Sequence, residues 1–145
     1  MMKKQRFIFG VLAFVLICSL CGGATTARAS DVLRSSPTLT RYGVVATKGT
    51  TSGKVVFTYD ILANSVAESL GISSIVIYKS SGDYVTTIYP TTLNGLKTSN
   101  AMWHRSSYTY SGTSGVSYYA MVTVFATING VTDSRTVKTN TVAAP

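Results

Sequence analysis

Past its first three dozen residues the chain alternates. In Lys54 to Ala63, Val55, Phe57, Tyr59 and Ile61 share one phase while Val56, Thr58 and Asp60 share the other, the pattern of a strand with one face on a core. The longest such run is Tyr118 to Ile128, where Tyr118, Ala120, Val122, Val124, Ala126 and Ile128 are in phase. Ile75-Val76-Ile77-Tyr78 is apolar on both phases, which predicts a strand in the interior of a sheet.

Turn residues separate these runs. Thr50-Thr51-Ser52-Gly53 divides a first strand, Leu39 to Thr47, from the second. Asn64 to Leu70 breaks the period, and Ser65 to Glu68 is expected to form a single helical turn. Lys79 to Asp83 is a loop leading to a hairpin partner at Tyr84 to Tyr89. Pro90 to Asn100 reads as a polar connection, Tyr108 to Tyr110 as a short strand, and Ser111 to Gly115 as a turn.

Asn129-Gly130 is a strong two-residue hairpin signal, with Val131 to Val142 as the returning strand. A strict two-residue turn pairs Ala126 with Asp133 and Val124 with Arg135, placing two charges in the core phase. Either a bulge shifts the register, or the strand lies at an edge with Asp133 and Arg135 paired at its rim. The edge is favoured, because mixed charges blunt edge-to-edge pairing. Seven or so short strands without helical periodicity predict an all-β domain, a single antiparallel two-sheet sandwich over residues 38–145.

The N-terminus has a different grammar. Lys3, Lys4 and Arg6 precede an apolar run from Phe7 to Cys21, followed by small residues ending in Ala27-Arg28-Ala29. This is the layout of a cleavable secretory signal over residues 1–29, and the run is short of the ~20 residues of a spanning helix. Residues 30–37 read as an unpatterned leader. Cys18 and Cys21 are the only cysteines, so cleavage leaves no disulfide. Leu20 and Ile17, the residues before them, are too bulky for lipoprotein processing.

The charge balance changes once the signal is set aside. Half of the formal +8 belongs to Lys3, Lys4, Arg6 and Arg28. The remaining basic residues are scattered singly rather than clustered in the stripes of nucleic-acid sites. After cleavage neither a nucleic-acid nor a membrane partner is expected.

Two resemblances follow from particular residues. Gly115-x-x-Tyr118-Tyr119-Ala120-x-Val122-x-Val124-x-Ala126 resembles the penultimate strand of fibronectin type III and immunoglobulin-like domains. In those a tyrosine near the strand's start bonds back to the preceding corner, a role that falls here to Tyr118. The runs Leu70 to Tyr78, Tyr108 to Gly112, Tyr118 to Ala120, Asp133 to Thr136 and Thr139 to Thr141 together resemble a DUF6147-like family of small exported proteins from Gram-positive bacteria. That resemblance implies export and fold, and no functional residues.

Chemistry-bearing constellations are sparse. His104 is the only histidine, so a Ser-His-acid triad would have to use it, with Asp60, Asp83 or Asp133 orienting the ring. No nucleophile-elbow pattern accompanies it, and no catalytic residue is assigned. One histidine and five scattered acids make neither a zinc nor a calcium site, and no cofactor is expected. Lys54 and Asn140, with Asp60 nearby, are the obvious partners for an internal Lys-to-Asn amide; an exposed lysine and a free amide are favoured over it.

The strongest recognition candidate is Trp103-His104-Arg105, where the only tryptophan sits beside an imidazole and a guanidinium. A plug role for Trp103 at one end of the sandwich is weighed above it, since large aromatics are mostly buried. The leading expectation is a secreted, non-catalytic module binding a protein or glycan at the cell envelope or beyond it, released or held non-covalently at the wall. A self-associating envelope component and a small hydrolase using His104 are the alternatives.

Overall fold

In the computed structural model, which describes residues 36–145, the alternation becomes nine strands. The expected signal and the expected leader up to residue 35 lie outside the described residues. In chain order the strands are β1 (Leu39–Lys48), β2 (Lys54–Ala67), β3 (Ser69–Lys79), β4 (Tyr84–Ile88), β5 (Lys97–Thr98), β6 (Ala101–Ser111), β7 (Ser117–Ile128), β8 (Val131–Lys138) and β9 (Val142–Ala143). One sheet has the order β1-β2-β6. The other has the order β4-β3-β7-β8, with β5 added to β3 and β9 to β7. Every pairing is antiparallel, and the two sheets pack face to face as an all-β sandwich.

The core lies where the alternation puts it. Val55, Phe57, Tyr59 and Ile61 of β2 are sealed from solvent, as are Ile72, Ile75 and Ile77 of β3 and Ala120, Val122, Val124 and Ala126 of β7. Each large apolar side chain among them contributes about 1.5–3 kcal/mol by leaving water. β3 lies between β4 and β7, as its doubly apolar sequence requires.

Four local expectations are corrected. Ser65 to Glu68 is no helical turn: β2 continues through a bulge to Ala67, which pairs with Ala101. Hydrogen bonds from outside the segment decide this, since Asn64 N donates to Thr38 O and Glu68 N to Thr127 O. The short strand at Tyr108 to Tyr110 is the end of the eleven-residue β6. Its first half was hidden because His104 and Ser106 occupy inward positions where an apolar residue would have signalled a strand.

The connection between β4 and β6 is not wholly polar, since Leu96 is fully buried and β5 pairs with β3 at Leu70 and Gly71. Gly71 has φ +153°, and a Cβ there would collide with the Leu96 carbonyl. The returning strand is broken at Thr139, whose N donates to Ala120 O while its Oγ1 accepts from Ala120 N, so β8 and β9 are separate.

The β7–β8 hairpin keeps the strict register. Ile128 pairs with Val131, Ala126 with Asp133 and Val124 with Arg135, with positive φ at Asn129 and Gly130 as a type I′ turn demands. β8 is an edge strand, and Arg135 Nη1 meets Asp133 Oδ1 at 2.6 Å. Asp133 is 9% exposed and also accepts hydrogen bonds from Ser36 Oγ and Thr38 Oγ1. Burial alone would raise this carboxyl, but the bonds from Ser36 and Thr38 and the Arg135 charge outweigh it and hold it below the usual carboxylate value. The charges that look awkward in the sequence thus pin the chain where it enters β1.

Tyr118 makes the back-bond expected of it: its phenolic oxygen accepts from Thr113 N at 3.0 Å. The Lys54–Asn140 pair is not assembled. Lys54 Nζ donates to Ser111 Oγ, and Asn140 spends both amide atoms on the backbone of Ala46.

Candidate functional site

Strand alternation sends every second residue of β1, β2 and β6 to the outer face of the first sheet. The register there aligns three rows: Arg41, Leu62 and Trp103; Gly43, Asp60 and Arg105; Val45, Thr58 and Ser107. Asp60 is the centre of this grid. Its Oδ1 accepts from Trp103 Nε1 at 2.7 Å, and its Oδ2 lies 3.4 Å from Arg41 Nη2.

Trp103 is therefore not a plug. It is 54% exposed, on the outside of the sheet, with its indole N–H committed to a carboxylate. A charge-assisted bond of this kind is stronger than a neutral one and fixes the ring's orientation over the sheet. The Arg41–Asp60 pair, by contrast, is largely exposed, and such pairs contribute about 0–1 kcal/mol. Its consequence is positional: both carboxylate oxygens are occupied, so Asp60 carries little uncompensated charge.

Arg105 stands opposite Asp60 in the ladder, but its guanidinium forms no hydrogen bond or ion pair among the described residues. Gly43, the third member of that row, has no side chain, and its neighbours surround a shallow depression of about 360 Å³ with Arg41, Val45, Thr58, Asp60 and Arg105 on its walls. An isolated glycine in a strand pattern signals a close approach or an opening. Here it opens the floor.

The triplet read from the sequence is split by the pleat. Trp103 and Arg105 share the outer face, whereas His104 turns to the other side, against Tyr59. Its Nε2 lies 3.0 Å from Gly95 O and 3.3 Å from Tyr59 Oη, with ring centroids 5.4 Å apart. Tyr59 Oη also donates to Gly95 O at 2.6 Å. Burial pushes the Tyr59 phenol above its ordinary value, with Ser106 pulling it partly back, so it stays a neutral donor. No carboxylate bonds to the imidazole among the described residues, and none of Asp60, Asp83 and Asp133 orients it. Tyr59 and His104 meet at the Gly95 carbonyl and tie the β4–β6 connection to the first sheet.

Sequence reasoning missed Arg41 and Gly43, and named Asp60 only as an acid for His104 or for the Lys54–Asn140 pair. Each lies on a different strand from Trp103, and only the register joins them. The one local signal was Asp60 itself, a charge in the outward phase of a strand whose other phase is all core.

The second sheet carries an aromatic row on its outer face. Tyr78 stacks on Tyr119 at 5.3 Å and 14°, Tyr84 meets Tyr78 in a T at 6.1 Å, and Lys138 Nζ lies 4.4 Å over the Tyr119 ring. Following the order β4-β3-β7-β8, these side chains cover one another's faces across four strands. Cross-strand pairs of this kind stabilise the sheet, with Tyr84 at its edge the most open of the row, 62% exposed.

Among the described residues no group of three or more His, Cys, Asp and Glu is gathered as for a metal ion, and no helix is long and apolar enough to cross a membrane. Comparison with family models, with curated proteins and with solved structures finds no match for this chain.

Proposed function

We propose that this chain is an exported, non-catalytic β-sandwich that binds a ligand at the cell envelope or outside it, through the outer face of β1-β2-β6. One observation carries the reading: Asp60 holds the exposed Trp103 ring in a fixed orientation beside an Arg105 that has no partner among the described residues. An aromatic anchor with a guanidinium next to it is the usual make-up of a binding hot spot. The layout of residues 1–29 supports export, as does the DUF6147-like resemblance. The Tyr118 back-bond supports grouping the sandwich with fibronectin type III and immunoglobulin-like domains. The histidine contacts, a carbonyl and a phenol, support a positional role for His104.

The test is a pull-down from culture and host material with the chain from Ser30 onward, read by mass spectrometry. Capture should depend on Trp103, so that Trp103→Ala loses the ligand while His104→Ala retains it. Capture that is indifferent to Trp103 would overturn the reading.

Self-association has one observation behind it. β6 is an eleven-residue edge strand, and such edges template further pairing. Light scattering over a concentration series separates the two readings, since a binding module keeps a constant size and an assembling protein grows.

A further inference from the structure

We infer that the outer face of β1-β2-β6 takes an anionic saccharide, with a sugar ring on Trp103 and its carboxylate or phosphate on Arg105. This rests on the binding-module reading and names the ligand class for the same face.

The argument begins with spacing. Trp103 and Arg105 are two residues apart on one strand and share a face, so their Cα atoms are separated by about 6.6 Å of strand rise. A ring on the indole thus brings a pendant acid within reach of the guanidinium. The C–H bonds of a pyranose carry partial positive charge and meet the electron-rich face of an aromatic ring, which prefers such contacts. A guanidinium offers two parallel N–H donors that match the two oxygens of a carboxylate or phosphate.

Charge supports an anion over a neutral sugar. Arg41 and Arg105 flank the depression, and the one carboxylate there already has Arg41 on one oxygen and the Trp103 indole on the other. The face is therefore net positive where a ligand would sit. Its remaining outward side chains include Thr58, Ser107 and Thr109, donors and acceptors suited to sugar hydroxyls.

A protein partner fits less well. A stable protein interface buries about 800 Å² on each side around an apolar centre. On this face the large exposed apolar side chains are Val45 and Trp103, at 51% and 54%.

Trp103 is the only tryptophan, so its fluorescence reports on this site alone. The experiment titrates the chain from Ser30 onward with polygalacturonate, with poly(glycerol phosphate) and with dextran, following Trp103 emission and confirming affinity by calorimetry. A saturable emission change with polygalacturonate and none with dextran is expected, weakening at least several-fold as salt rises from about 0.05 to 0.3 M. Arg105→Ala should lose about tenfold or more in affinity, and Arg105→Lys, which keeps charge without the fork, should recover only part. A response to poly(glycerol phosphate), which has no sugar ring, but not to polygalacturonate shows an anion site without the ring contact and overturns the saccharide class.

Equal binding of dextran, or indifference to Arg105→Ala, overturns the anionic class while leaving the module reading standing. If none of the polymers moves Trp103 emission but a protein is captured in a Trp103-dependent way, the saccharide inference fails and the module reading survives. If capture too is indifferent to Trp103, both fall.

Discussion

The side-chain amide of Asn140 stands in for a strand residue beside Ala46: its Oδ1 accepts from Ala46 N and its Nδ2 donates to Ala46 O, each at 2.9 Å. β1 is an edge of its sheet, and this pair closes part of that edge onto the corner between β8 and β9. Edges left open invite pairing with other chains. Here one side chain satisfies two backbone groups and couples the sheets.

Asn140→Ala should therefore destabilise the domain by about 1–2 kcal/mol, the usual net value of two such bonds. Asn140→Asp should cost at least as much, because a carboxylate would face the Ala46 carbonyl. Urea denaturation of the three proteins checks this; equal midpoints would show that the closure contributes nothing.

The same geometry predicts that the chain from Ser30 onward has the intact mass of its own sequence. Formation of a Lys-to-Asn amide would release one ammonia, and with Lys54 on Ser111 and Asn140 on Ala46 no such loss is expected. Mass spectrometry of the purified chain decides it.

Asp133 predicts an acid limb in the stability profile. Its folded carboxyl titrates below the unfolded value of about 3.9, so its stabilising contribution is fully present above that value. It disappears as pH falls through the lower folded value. In Asp133→Asn the gap from wild type should be widest near neutrality, at about 2–3 kcal/mol for a broken half-buried pair, and should narrow as pH falls below the unfolded value through the lowered folded one. Denaturation at several pH values measures the gap. A constant difference would mean that the bonds from Ser36 and Thr38 do not depend on the charge.

Tyr118→Phe removes one oxygen and leaves Thr113 N without its acceptor. The cost should be about 1 kcal/mol, seen as a fall of roughly 4–8 °C in Tm for a domain of this size. An unchanged Tm would mean that water replaces the phenol at that corner.

Gly71→Ala should be far more damaging. The substituted residue would need an unfavourable φ and would also drive its Cβ into the Leu96 carbonyl, which receives the Ile72 N–H at 2.7 Å. A loss of about 3 kcal/mol or more is expected, at the severe end for single substitutions. Gly82→Ala is the control: φ there is also positive, but nothing lies within 4 Å of the added carbon, so only backbone strain of about 1 kcal/mol applies.

Period-two alternation is a local property, and it determined the all-β class, the buried phases of β2 and β7, the interior place of β3 and the Asn129-Gly130 turn. It even left the edge position of β8 readable, because Asp133 and Arg135 can occupy a core phase without a large desolvation cost only where the strand borders solvent. Alternation also separates Trp103 and Arg105 from His104, although adjacency in the chain had suggested one cluster.

What alternation cannot carry is which residue of another strand arrives alongside. That depends on register set by turns, bulges and packing at a distance. Ser65 to Glu68 extends as strand because Thr38 and Thr127, remote in sequence, accept backbone hydrogen bonds at its two ends. Arg41, Gly43 and Asp60 join Trp103 and Arg105 only because three strands align them. The core was thus written in single strands, whereas the candidate site exists only across the sheet.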